Sequence, residues 1–107
     1  HARLRYYDAL ARRPGLPEDV SALVSHLNGD SVTVSLVNGS PLHERRVILQ
    51  AGTFSEHRFT SVAEPKSGAA HAVDNANLEV MLPPGRSIEL RCGMDRYVHR
   101  PSYEQPI

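Results

Sequence analysis

The chain has no tryptophan, only four tyrosines and two phenylalanines, and a single cysteine, Cys92. One thiol cannot close an internal disulfide, and it supplies no cysteine-based zinc pattern. A lone cysteine suits a cytoplasmic setting, which is the expected one. Charge of one sign is missing too: twelve basic residues balance twelve acidic ones, for a formal net charge of zero. Nucleic-acid-binding domains carry a basic excess or a basic stripe, so nucleic acid is not an expected partner. No apolar run approaches the roughly 20 residues that span a bilayer, so a membrane is not expected either. No basic stretch runs into an apolar segment in the manner of a secretory leader. The first residue is His1 rather than Met, and the chain is expected to be a piece of a longer protein.

What is present is enough apolar residue, 40% of 107, for one modest core and one domain. Residues 3–7 (Arg-Leu-Arg-Tyr-Tyr) are expected to form a short strand, followed by a loop over 8–16 that includes Arg12-Arg13-Pro14-Gly15. Pro17, with Glu18 and Asp19 behind it, looks like a helix start, and Val20, Leu23, Val24 and Leu27 recur at helical spacing. Residues 17–27 are therefore expected to form one short helix. From residue 30 the period becomes two. Val32, Val34 and Leu36 alternate with polar residues, Asn38-Gly39-Ser40-Pro41 breaks the chain, and Arg46 to Gln50 form the next strand. Residues 54–63 give a weaker strand. The Pro-, Gly- and Ala-containing stretch Glu64 to Asn77 reads as a long loop, with at most a short strand near Ala72-Val73. Leu78-Val80-Leu82 and Ile88-Leu90-Cys92-Met94 alternate again on either side of Pro83-Pro84-Gly85, the pattern of an antiparallel hairpin.

Regularly spaced strands without βαβ alternation predict an all-β fold, an immunoglobulin-like antiparallel β-sandwich with one short N-terminal helix. A small barrel is the alternative. Residues 1–29 are expected to form a lead-in of strand, loop and short helix, and residues 30–107 the sandwich, one domain overall.

Candidate chemistry is sparse. Glu56, His57 and His99 are the metal candidates, with His43, Glu44 and His71 further afield. Neither His-x-His nor His-Glu-x-x-His occurs, and zinc needs three or four converging ligands. Adjacent residues on an extended backbone point to opposite faces, so Glu56 and His57 are not expected to converge. No cofactor is expected. Cys92 sits at an apolar position between Leu90 and Met94 and reads as a core thiol, raised in pKa by burial rather than nucleophilic. Glu79 and Glu89 read as outward positions of the hairpin, Glu79 within reach of Arg86 or Arg91. Asn38-Gly39-Ser40 matches a glycosylation sequon, but turn chemistry accounts for it. Tyr6, Tyr7, Tyr97 and Tyr103 lie near the two ends. Were the ends neighbouring strands, these rings would cluster with Arg3, Arg5, Arg96 and Arg100 as a docking surface or ligand platform.

Three stretches carry a resemblance: Asp30-Ser31-Val32-Thr33-Val34-Ser35-Leu36-Val37-Asn38; Arg46 to Gly52 with Glu56-His57; and Leu82-Pro83-Pro84-Gly85 through Met94-Asp95-Arg96-Tyr97 to Pro101-Ser102-Tyr103. Together they resemble the C-terminal β-sandwich modules of large bacterial proteins related to carbohydrate-active enzymes. The resemblance covers about residues 30–106 and rests on strand and turn patterns. It implies a non-catalytic accessory or structural domain, with catalysis in a domain outside this chain. The preceding domain of the parent protein is then the expected partner, with oligosaccharide as a second. The alternative is a stand-alone glycan- or protein-binding module. A third possibility is a small metal-dependent enzyme built on Glu56, His57 and His99.

Overall fold

The computed structural model describes residues 4–27, 31–52, 54–95, 100, 102 and 104–107. Its strands are β1 (Leu4–Asp8), β2 (Arg13–Pro14), β3 (Val20–Leu27), β4 (Ser31–Asn38), β5 (Arg45–Ala51), β6 (Arg58–Glu64), β7 (Ala69–Asn75), β8 (Asn77–Leu82) and β9 (Ser87–Asp95). They form two antiparallel sheets, one ordered β2-β1-β5-β8 and the other β3-β4-β9-β6-β7. The all-β expectation holds, and the inward residues of both sheets meet in one core. Val32, Val34 and Leu36 of β4 and Leu90, Cys92 and Met94 of β9 pack in the same cluster as Val47 and Leu49 of β5 and Val80 and Leu82 of β8. The period-two pattern read from those segments is the face that leaves water.

The expected helix over residues 17–27 is instead strand β3. Asp19 takes a left-handed φ of 67°, which ends a helical turn before it can propagate. The Val20 amide closes a tight turn onto Pro17 O at 3.2 Å, and Asp19 O accepts the Gly39 amide at 2.8 Å. Val20 and Val24 are β-branched and Ser21 and Ser25 are indifferent helix formers. Pairing with β4 from Val20↔Asn38 to Leu27↔Val32, with a bulge after Val24, supplies the backbone partners a short isolated helix would have to find alone.

The expected loop over 64–77 contains a full strand, β7, joined to β6 by a hairpin. Gly68 adopts a φ of 76° and its amide bonds Glu64 O at 2.9 Å. Alanines are weak strand formers, and β7 is an almost wholly exposed edge, so neither composition nor alternation marks it.

The expected hairpin across Pro83-Pro84-Gly85 is also overturned. β8 pairs with β5, and β9 pairs with β4 and β6, so the two strands lie in different sheets. The turn carries the chain from one sheet to the other and is held by Gly85 N–H on Ser40 O and by Asn38 N–H on Arg86 O. Both strands present an alternating apolar face to the same core, which is why the pattern alone reads as a hairpin. Glu79 accordingly meets Arg46 of β5 at 3.4 Å rather than Arg86 or Arg91.

Asn38 ties this end together. Its buried Nδ2 donates to His43 O at 2.8 Å and Leu82 O at 3.1 Å, while its Oδ1 accepts the Ser40 amide at 3.0 Å. The sequon asparagine is thus committed to the turn that its sequence suggests.

Candidate functional site

The opposite end of the molecule gathers the remaining polar chemistry. Two chain crossings between the sheets lie side by side there: residues 52–57, from β5 to β6, and Ala76, from β7 to β8. The Ala51 amide bonds Ala76 O at 2.8 Å and couples them. Gly52, with φ 83°, turns the chain out of β5. A Cβ at Gly52 would collide with the Glu56 carboxylate and the His57 ring, so glycine is required at this point.

The backbone leaves the extended conformation at Ser55, which sits at a φ of 59°. The expected divergence of Glu56 and His57 therefore does not apply. Glu56 Oε1 lies 3.6 Å from the buried His57 Nε2, and Glu56 Oε2 accepts the Phe54 amide at 2.8 Å. The His57 amide in turn bonds Ala51 O at 3.3 Å. Carboxylate and imidazole thus brace the loop from inside. Among the described residues, no group of three or more His, Cys, Asp or Glu side chains is placed to hold a metal; His99 lies outside those residues.

Tyr6 and Tyr7 lie on β1, which pairs with β2 and β5, whereas β9 belongs to the other sheet, so these two strands are not neighbours. Tyr6 faces the core, and burial raises its phenol pKa. Tyr7 points to the other face of its sheet and is nonetheless fully enclosed. Its hydroxyl donates to Gln50 Oε1 at 3.3 Å, and the Arg5 guanidinium carbon stands 5.4 Å from its ring centroid. Ile48, opposite Tyr7 in the register, and Gln50 are buried beside it, so β5 is covered on both faces. The unbroken run Val47-Ile48-Leu49 is the sequence mark of that double burial. Arg96, Tyr97 and Tyr103 lie outside the described residues. Arg100 is exposed and does reach a concave site.

That site is a cleft of about 440 Å³. Asp74, Asn75 and Asn77 line it from the β7–β8 crossing, and Ser55 from the neighbouring connection. The C-terminal segment supplies Arg100, Ser102, Glu104 and Gln105, with Ala76 and Pro106 as the apolar contribution. The segment is hooked to the 52–57 connection by the Ser102 amide on Phe54 O. Asp74 is steadied by Arg58, which bonds Asp74 Oδ1 at 2.7 Å and Asp95 Oδ2 at 2.6 Å. The two carboxylates, Asp95 foremost, raise the Arg58 pKa further. Asn75 Oδ1 accepts the Asn77 amide at 3.0 Å. Asn77 Oδ1 is shielded from water with no hydrogen-bond partner among the described residues, a condition that costs about 1–3 kcal/mol in general.

In comparisons with known proteins, no family model, no curated protein and no solved structure matched the chain.

Sequence reasoning missed this cleft except for Arg100. Asp74, Asn75 and Asn77 lie in the stretch whose composition reads as a loop, and the amide-rich run Asp74-Asn75-Ala76-Asn77 is the signal that could have found it. Cys92, by contrast, stands where the alternation places it, at 0% exposure with its thiol pushed up to about 11 by burial.

Proposed function

We propose that this chain is a non-catalytic accessory module, an immunoglobulin-like β-sandwich at the C-terminal end of a larger bacterial protein related to carbohydrate-active enzymes. The preceding domain of that protein is its partner, and the chemistry resides there. The observation that carries this reading is the inward commitment of Cys92, Glu56 and His57. Cys92 is a core thiol pushed up to about 11, where a nucleophile needs its thiolate near neutral pH. Glu56 and His57 brace the loop that contains them. The two-sheet core and the resemblance of residues 30–106 to sandwich modules add support.

The direct test is an assay of the purified chain on a panel of chromogenic glycosides and esters. Turnover no faster than buffer is expected. Hydrolysis that disappears in folded Glu56→Gln and His57→Gln variants would overturn the proposal. Reading the native gene upstream of His1 tests the partner separately: an open reading frame encoding a further domain is expected, and a start codon immediately upstream defeats the assignment.

A further inference from the structure

We infer that the cleft between the β7–β8 crossing and the C-terminal segment is a binding site for a small neutral saccharide. The inference is independent of the accessory reading, since the cleft is made from this chain alone. Its volume of about 440 Å³ falls within the roughly 300–1,000 Å³ typical of small-molecule sites. Its lining decides the ligand class. Asn75, Asn77 and Gln105 each present a side-chain amide, with donors and an acceptor, and Ser55 contributes a hydroxyl. A sugar hydroxyl also donates and accepts, so such a set meets it in either sense.

Charge points the same way. One cation, Arg100, faces two carboxylates, Asp74 and Glu104, so the lining carries one net negative charge. Arg58, the nearby second guanidinium, is already divided between Asp74 and Asp95. An anionic ligand such as a phosphate ester would meet this excess of carboxylate, whereas a neutral polyol would not. Asp74 and Glu104 are then acceptors for ligand hydroxyls, and Arg100 is a donor. Ala76 and Pro106 offer apolar surface for the C–H face of a sugar ring.

Asn77 adds an independent observation. Its Oδ1 is withdrawn from water without a partner among the described residues, while its side chain lines the cleft. Rotation of this amide about its terminal torsion would turn Oδ1 into the cleft, where a ligand hydroxyl would supply the missing donor.

The test is a titration of the ¹⁵N-labelled chain with cellobiose, maltose, chitobiose and the free hexoses at millimolar concentration, with inorganic phosphate as the contrasting probe. The expected result is saturable amide shifts from at least one sugar at Ser55, residues 74–77 and the 100–105 segment, with none from phosphate. Gln105→Ala, at an exposed position, and Asn77→Ala should each weaken that binding by about tenfold, the scale of one well-made polar contact. Failure of every sugar to give saturable shifts overturns the inference. Shifts of the same amides by phosphate overturn it in favour of an anion site, and sugar shifts indifferent to both variants place the binding elsewhere.

Discussion

Cys92 lies between Val32 of β4 and Val62 of β6 in the register of its sheet, with no access to water. Desolvation favours the neutral thiol, so its pKa moves from an ordinary 9.0 to about 11 on folding. Below pH 9 both folded and unfolded chains keep the proton, and stability is unaffected. Between about 9 and about 11 the unfolded chain releases the proton while the folded chain retains it, so stability falls as pH rises. A rise of that size corresponds to about 3 kcal/mol. Urea midpoints at pH 8 and pH 11 should show this loss in the native chain. A Cys92→Ala chain, less stable throughout because of its cavity, should lack that part of the loss and retain the smaller alkaline contribution of the half-buried Tyr6, whose pKa is also raised. Equal losses in the two proteins would show that Cys92 is not the group responsible. At this scale the cysteine was legible because strict alternation places a side chain on one face. Glu56 and His57 were not, because that rule ends where the backbone leaves the extended conformation at Ser55.

Strands show the same division between what periodicity carries and what it omits. β4, β5, β8 and β9 have an apolar face or an apolar run, and burial makes that pattern visible. β3 has apolar residues that fit a helix as well as a strand, and the decision comes from elsewhere, through Asp19 and the partner edge of β4. β7 has almost no buried face at all. Besides its hairpin ladder to β6 and the packing of Val73 against the core, β7 is tied by the Arg58 bridge, which joins β6 to Asp74 near the end of β7 and to Asp95 at the end of β9. Arg58→Ala should therefore loosen β7 first. Native-state hydrogen exchange of amides in residues 69–75 is expected to quicken several-fold, with β4 and the middle of β9 unchanged. The difference from the native chain should shrink in high salt, since the pairs are exposed and screened. Uniform acceleration across both sheets would mean that the bridge supports the global fold and not this edge.

Across the whole molecule, local pattern said little about which strand joins which sheet. The chain crosses between sheets at residues 15–19, 39–44 and 83–86 at one end, and at 52–57 and Ala76 at the other, and most such crossings look like ordinary turns in sequence. The consequence is a core assembled from distant segments, including residues 4–27. β1 lies between β2 and β5 in one sheet, and β3 forms an edge of the other beside β4. Leu4, Tyr6, Leu16, Val20 and Ala22 all pack against the central cluster. A fragment of residues 31–107 would keep six of the strands but expose one flank of β5 and one of β4, and it would lose those five side chains from the core's margin. Each buried side chain of this kind is worth about 1–3 kcal/mol when fully buried, and a domain's entire stability is about 5–15 kcal/mol. Losing several partly buried ones together removes a large share of that margin. The full chain, with a Cα radius of gyration of 13.1 Å, has the roughly 13 Å expected of one compact domain of this size. It should unfold in one cooperative thermal transition with a dispersed amide spectrum. The 31–107 fragment should show neither, and adding the 1–30 peptide in trans should restore part of the dispersion. A fragment that melts as sharply as the full chain would instead make the first thirty residues a dispensable lead-in to a self-sufficient sandwich.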